Sequence, residues 1–242
     1  MLPLQDINPK RRFPFFTYGL IVINVLVFLW ELSMSETQLQ EQFIHLAVVP
    51  ANLAHDGFFA TASLSDIIRS MFLHGGWEHI IGNMLYLYLF GDNVEDRFGR
   101  VLFLVLYFAS GFAATFAQYS IDPNSTIPNI GASGAIAGVL GSYLILYPGV
   151  KVRGMVALGR VSTMQEWPAW IVLGMWFVLQ LISGFGSLGT DAQYGGGVAF
   201  FAHIGGFVAG VVLTLIFMRI VRQPPGEERS NMLHQRRLGP PQ

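Results

Sequence analysis

Apolar residues fall in six blocks along this chain, at 13–30, 77–90, 100–119, 130–147, 167–183 and 198–221. A bilayer core needs about 20 apolar helical residues to cross it. Each block predicts a membrane-spanning helix, so the pattern predicts an all-α, polytopic membrane protein of six transmembrane helices. The fourth block is short: counted from Gly131, about 1.5 Å per residue gives roughly 25 Å. The connection at 33–76 carries apolar pieces at 43–53 and 64–72 that are too short to span. They predict short helices lying at the interface or folded against the bundle.

Composition agrees with the pattern. The chain is 52% hydrophobic and 12% charged, where soluble domains carry about 25% charged residues. A net charge of −1 says nothing about nucleic acid, but no basic cluster is interleaved with aromatics, so no nucleic-acid partner is expected. No cysteine is present, which excludes disulfides, thiolate metal sites and cysteine nucleophiles. No A-x-A site follows the first block, so it reads as an uncleaved anchor rather than a signal peptide. Three regions result: a cytoplasmic N-terminal segment at 1–12, a membrane domain at 13–221, and a tail at 222–242. The tail has Pro-Pro at both ends and six charges between Arg222 and Arg237, and reads as disordered and cytoplasmic.

Charge sets the orientation. With the N-terminus inside and six alternating spans, 13 of the 14 Lys and Arg residues lie on the inner side, and Arg69 alone lies outside. The positive-inside rule then predicts N-in and C-in.

Polar side chains within the blocks are few, and in a bilayer they are costly. The ones able to do chemistry are His79 and Asn83 in the second block, Ser133 in the fourth and His203 in the sixth. Asn24 in the first reads as a bond to a neighbouring helix. Spans two, four and six all run from outside to inside, and the three sites lie near the start of each, so they share one depth below the outer surface. His79 and Asn83 are four residues apart, on one helix face. Gly134, Gly138 and Gly141 form a small stripe on span four, and Gly206 and Gly210 form one on span six. Two such stripes suit a close crossing, which would carry His203 towards Ser133. Serine beside histidine is the nucleophile and base of covalent catalysis. His79, Asn83 and the first amides of span four suit an oxyanion.

The bland readings are a packing serine, a helix-bridging histidine and a bridging asparagine. His74 reads as structural or solvated. The tryptophans at 167, 170 and 176 read as interfacial or lipid-facing. Zinc is disfavoured because His74 to His79 reads H-x-x-x-E-H, one residue too long for the inverted zinc motif. No metal or cofactor is expected. A proton path is weaker still, since no acidic residue lies in mid-span.

Gly131-Ala132-Ser133-Gly134 resembles the GxSG motif of the rhomboid family of intramembrane serine proteases. Ala202-His203-Ile204-Gly205-Gly206 through Gly210 resembles that family's AHxxGxxxG, and His74 to Met84 its second-span signature. The resemblance covers roughly 13–220. It implies a six-helix bundle and a Ser133–His203 dyad without an acidic third member. His79, Asn83 and the Ser133 amide would form the oxyanion site. Gly131, Gly134, Gly138, Gly206 and Gly210 would pack the helices around it. It further implies single-span membrane proteins as substrates and the lipid bilayer as surroundings. The host membrane would be a bacterial inner or cell membrane, with the site open to the outer face. The alternative is a non-catalytic member that binds or escorts membrane proteins; such relatives are expected to lack the serine or histidine. Two departures stand out. Leu64-Ser65-Asp66-Ile67 replaces a Trp-Arg pair common in the first loop, and Ala137 replaces a tyrosine that stacks on the histidine in some members. Finally, six glycines between Gly184 and Gly197 predict a mobile flap over His203, with span five beside the substrate entry.

Overall fold

In a computed structural model, which describes residues 2–158, 161–187 and 199–221, the chain is built around helix α8 (Ser133–Leu146). Every residue of α8 from Gly134 to Tyr143 is buried. It can sit so deeply because two neighbours meet it where side chains are missing. A Cβ added at Gly206 of α10 (Phe200–Ile220) would strike the Gly134 carbonyl, and one at Gly210 the Gly138 carbonyl. On another side, Gly138 faces Ser110 and Gly134 faces Ala114 of α7 (Arg100–Ile121). Contact at backbone distance replaces the missing hydrophobic drive between helices in lipid. Further down, Thr214 donates to the Ser142 hydroxyl at 2.7 Å and closes the crossing with a polar pair.

The remaining helices wrap this centre. Helix α1 (Phe15–Glu31) begins on a carboxylate. Glu95 accepts from the Phe16 amide (3.0 Å), the Thr17 amide (2.7 Å) and the Thr17 hydroxyl (2.8 Å). Those amides have no partner within α1, and a negative charge suits a helix start. Helix α5 (Trp77–Tyr86) continues without a break through a π-helical turn, Leu87–Gly91, into α6 (Asp92–Phe98). Gly91 in that turn leaves room for Thr17, whose Cγ2 would lie 3.0 Å from an added Cβ. The connection after α1 folds into α2 (Glu36–Leu46), α3 (Pro50–Asp56) and α4 (Thr61–Ser70). A capping box between Ser35 and Gln38 starts α2. Val48, Leu53 and Ile67 pack against Phe112 and Tyr119 of α7.

Helices α7, α9 (Ala169–Ser187) and α10 are long and apolar enough to cross a membrane. Helices α1 and α8 are apolar but shorter.

Two expectations need correction. The chain is mostly helical but not all-α. Strands β1 (Leu2–Asp6), β2 (Lys151–Leu158) and β3 (Val161–Pro168) form an antiparallel sheet in that order. Hairpin β2–β3 pairs Lys151 with Pro168 and Met155 with Met164, and β1 binds the N-terminal residues onto its free edge. Lys151, Arg153 and Met155 are exposed while Val152 and Gly154 are buried, the alternation of a half-buried strand. Trp167 accordingly belongs to β3, and the fifth apolar block becomes helical only from Ala169. The second correction concerns the glycine-rich loop. Gly184 and Gly186 are helical residues of α9. The rest of the expected flap, 188–197, and the expected tail lie outside the described residues.

Candidate active site

Ser133 is the first residue of α8, so its amide is among the N–H groups that the helix leaves unpaired. The segment before it is pinned to the first connection. Asn129 donates to the Val48 carbonyl at 2.7 Å, and Gly131 donates to the Ser70 carbonyl at 2.8 Å. Gly131 has φ +116°, which an L side chain rarely adopts, and a Cβ there would lie 2.6 Å from Cε1 and Nε2 of His79. Glycine at 131 thus serves twice: it makes the turn into α8 and admits the imidazole.

His203 stands in the first turn of α10 and reaches across the glycine crossing. Its Nε2 lies 2.8 Å from the Ser133 Oγ. Its Nδ1 lies 2.7 Å from Oε1 of Gln180 on α9. Trp176, one turn earlier on α9, packs against the same imidazole with ring centroids 5.9 Å apart. It also packs on Phe207, which stacks on Phe177 at 4.3 Å. These rings dock α9 onto α10.

On the opposite wall, α5 presents His79 and Asn83. The Gly75 amide donates to Nδ1 of His79 at 3.4 Å, which leaves the proton on Nε2, beside Gly131. Asn83 Nδ2 lies 3.0 Å from Nε2 of His74. Nδ1 of His74 donates to the Phe72 carbonyl at 3.2 Å, so its Nε2 is free to accept from Asn83. Glu31, at the end of α1 and 2% exposed, accepts the His74 amide at 3.0 Å. A chain of contacts thus runs from Glu31 through His74 to the Asn83 amide, whose second proton remains for the cavity.

That cavity measures about 580 Å³ and is lined by His79, Asn83, Ser133, Trp176 and His203 among others. The four side chains singled out in the sequence therefore converge on one space. Asn24 goes elsewhere: it donates to the Leu20 carbonyl of its own helix at 2.7 Å. His74 is 1% exposed and is not solvated. Gln180 and Trp176 carried no signal of this role in the sequence, because only the register of α9 against α10 brings them to His203.

A base held at a serine hydroxyl can take its proton as Oγ attacks a carbonyl carbon, and the facing wall of N–H donors can stabilise the oxyanion. Comparison with known proteins bears on which chain does this. The rhomboid domain family model matches residues 61–220. Over 203 residues the chain is 30% identical to the rhomboid protease GluP of Bacillus subtilis, covering 84% of this chain and 35% of that protein. It is 30% identical over 200 residues to the mitochondrial rhomboid protein 1 of Saccharomyces cerevisiae, covering 81% and 51%. It is 25% identical over 235 residues to the rhomboid protease AarA of Providencia stuartii, covering 89% and 78%. The chain thus spans about a third of the first of these relatives and about half of the second.

Proposed function

This chain belongs to the rhomboid family, and from that premise we propose that it is an intramembrane serine endopeptidase working through a Ser133–His203 dyad. Its family and its apolar helices make it an integral membrane protein. The observation that carries the proposal is the 2.8 Å approach of His203 Nε2 to Ser133 Oγ.

In the reaction, His203 takes the hydroxyl proton of Ser133 as Oγ attacks a peptide carbonyl. His79 Nε2–H, the Asn83 amide and the Ser133 backbone N–H hold the oxyanion. His203 then gives its proton to the leaving amine. Water then enters from the outer face: His203 takes its proton as it attacks the ester carbonyl, and returns that proton to Oγ as the C–Oγ bond breaks and the new carboxyl terminus leaves. Preorganised donors in a site screened from bulk water are worth more than in solution.

The membrane arrangement is part of the same reading. Six spans, formed by α1, the continuous α5–α6 rod, α7, α8, α9 and α10, run N-in and C-in. The catalytic groups then lie below the outer face, and the sheet, with Lys151 and Arg153, lies inside. Substrates are single-span membrane proteins entering beside α9. The host membrane is a bacterial inner or cell membrane.

Labelling by a fluorophosphonate probe in liposomes tests the reading, with wild type beside Ser133→Ala and His203→Ala. The expected result is labelling of wild type alone. A folded wild-type protein that takes up no probe would overturn the proposal and leave a binding or escort role, with Ser133 as a packing residue.

A further inference from the structure

We propose that Gln180 is a positioning residue for His203: its side-chain carbonyl accepts the Nδ1 proton and so holds Nε2 bare towards Ser133. The inference rests on the reading of Ser133 and His203 as nucleophile and base.

The polarity of the contact follows from the chemistry. A neutral imidazole carries one proton, and the bond partner of one nitrogen decides where it sits. If Nε2 is to accept from Ser133 Oγ, Nδ1 must donate. The atom facing Nδ1 at 2.7 Å is a carbonyl oxygen, Oε1 of Gln180. A donor at that position would put the proton on Nε2 and leave the hydroxyl without a base. Among the described residues, Gln180 is the hydrogen-bond partner of Nδ1.

An amide suits this place better than a carboxylate. An ionised side chain within a membrane helix is costly even on the lenient insertion scales. An amide fixes the same tautomer and ring direction without that charge, and cysteine proteases with a Cys-His-Asn arrangement use one in this way. The ring needs such help here. Ala137, fully buried in α8, gives the imidazole no aromatic or hydroxyl partner from the serine's own helix. Trp176 and Gln180 are four residues apart, so they share a face of α9. One packs on the imidazole and the other binds its Nδ1. The base is thus oriented from α9, on the side away from the nucleophile.

The test compares wild type with Gln180→Met, which keeps length and apolar packing but has no carbonyl, and Gln180→Glu, which keeps an oxygen acceptor. Three readings are taken in liposomes: fluorophosphonate labelling rate, kcat and KM on a single-span fluorogenic substrate, and ¹⁵N imidazole spectra. The His203 signal is assigned by its loss in His203→Ala. A fully wrong tautomer costs about 10⁴ in a serine protease, and a mixed one costs less. Gln180→Met is expected to lose at least about tenfold, below that bound of about 10⁴, in labelling rate and kcat, with KM little changed and the Nε2–H tautomer newly populated. Gln180→Glu is expected to recover most of the rate. Wild-type labelling kinetics in folded Gln180→Met, or equal losses in both variants, would overturn the proposal. The wild-type spectrum decides by itself should Gln180→Met not fold: an Nε2–H tautomer at His203 there refutes the assignment. That spectrum is read with or without catalysis, so a protein with the Nδ1–H tautomer that never labels loses the protease reading and not the Gln180 contact.

Discussion

His74 holds Asn83 by its amide, Nδ2 to Nε2 at 3.0 Å, from a site that Glu31 anchors at the end of α1. The contact fixes which way the Asn83 side chain points. Asn83→Ala is expected to lower kcat by on the order of 10²–10³, the usual effect of losing one oxyanion donor. His74→Leu is expected to show part of that loss, and the double variant no more than Asn83→Ala alone. Independent, additive losses in steady-state kinetics would show that His74 acts elsewhere.

Gly131 joins backbone and site. Gly131→Ala must hold φ near +116° and meet His79 at 2.6 Å. The left-handed backbone costs roughly 1–2 kcal/mol, and the displaced imidazole lowers kcat further. The expected signature is a modest fall in melting temperature beside a large fall in cleavage rate. A matched fall in both would make 131 a stability position only.

Gly206 and Gly210 should behave in the opposite way. Gly206→Val or Gly210→Val drives a side chain into the α8 backbone, so overpacking of about 1–3 kcal/mol or more is expected. Thermal unfolding in detergent should drop first, and activity with it, because the same crossing sets the Ser133–His203 distance. Either variant melting like wild type would mean that α8 and α10 have room to separate.

Glu95→Ala tests the start of α1. It leaves the Phe16 and Thr17 amides without their carboxylate, and a buried donor left unpaired costs about 1–3 kcal/mol. A lower melting temperature with little change in KM is expected, since Glu95 does not line the cavity. An unchanged melting curve would show that α1 is held by its apolar face alone.

The sequence made some of this legible and hid the rest for physical reasons. Ser133, His203, His79 and Asn83 stood out because polar groups are expensive in apolar blocks, and the small stripes at Gly134/Gly138 and Gly206/Gly210 named the crossing that brings two of them together. The sheet is hard to read in the sequence because Lys151 and Arg153 count there as topology signals. Their alternation with Val152 and Gly154, the strand signal, is short and sits between two long apolar blocks. Gln180 belongs to no motif, and Trp176 reads as an interfacial or lipid-facing ring. Nothing local to either says which helix it faces; that depends on how α9 is rotated against α10, which Phe177 and Phe207 decide by stacking.

Of the three long apolar helices, α9 has the least of its surface inside the bundle: 17% of its apolar window is buried, against 33% for α7 and 28% for α10. This is the helix that reaches the back of the imidazole. A loosely packed span adjusts its tilt to the thickness of the bilayer, and here any such adjustment moves the groups behind the base. On the reading of His203 as base, the lipid therefore has a lever on the proton transfer, and membrane thickness is expected to change the rate at which Ser133 is labelled.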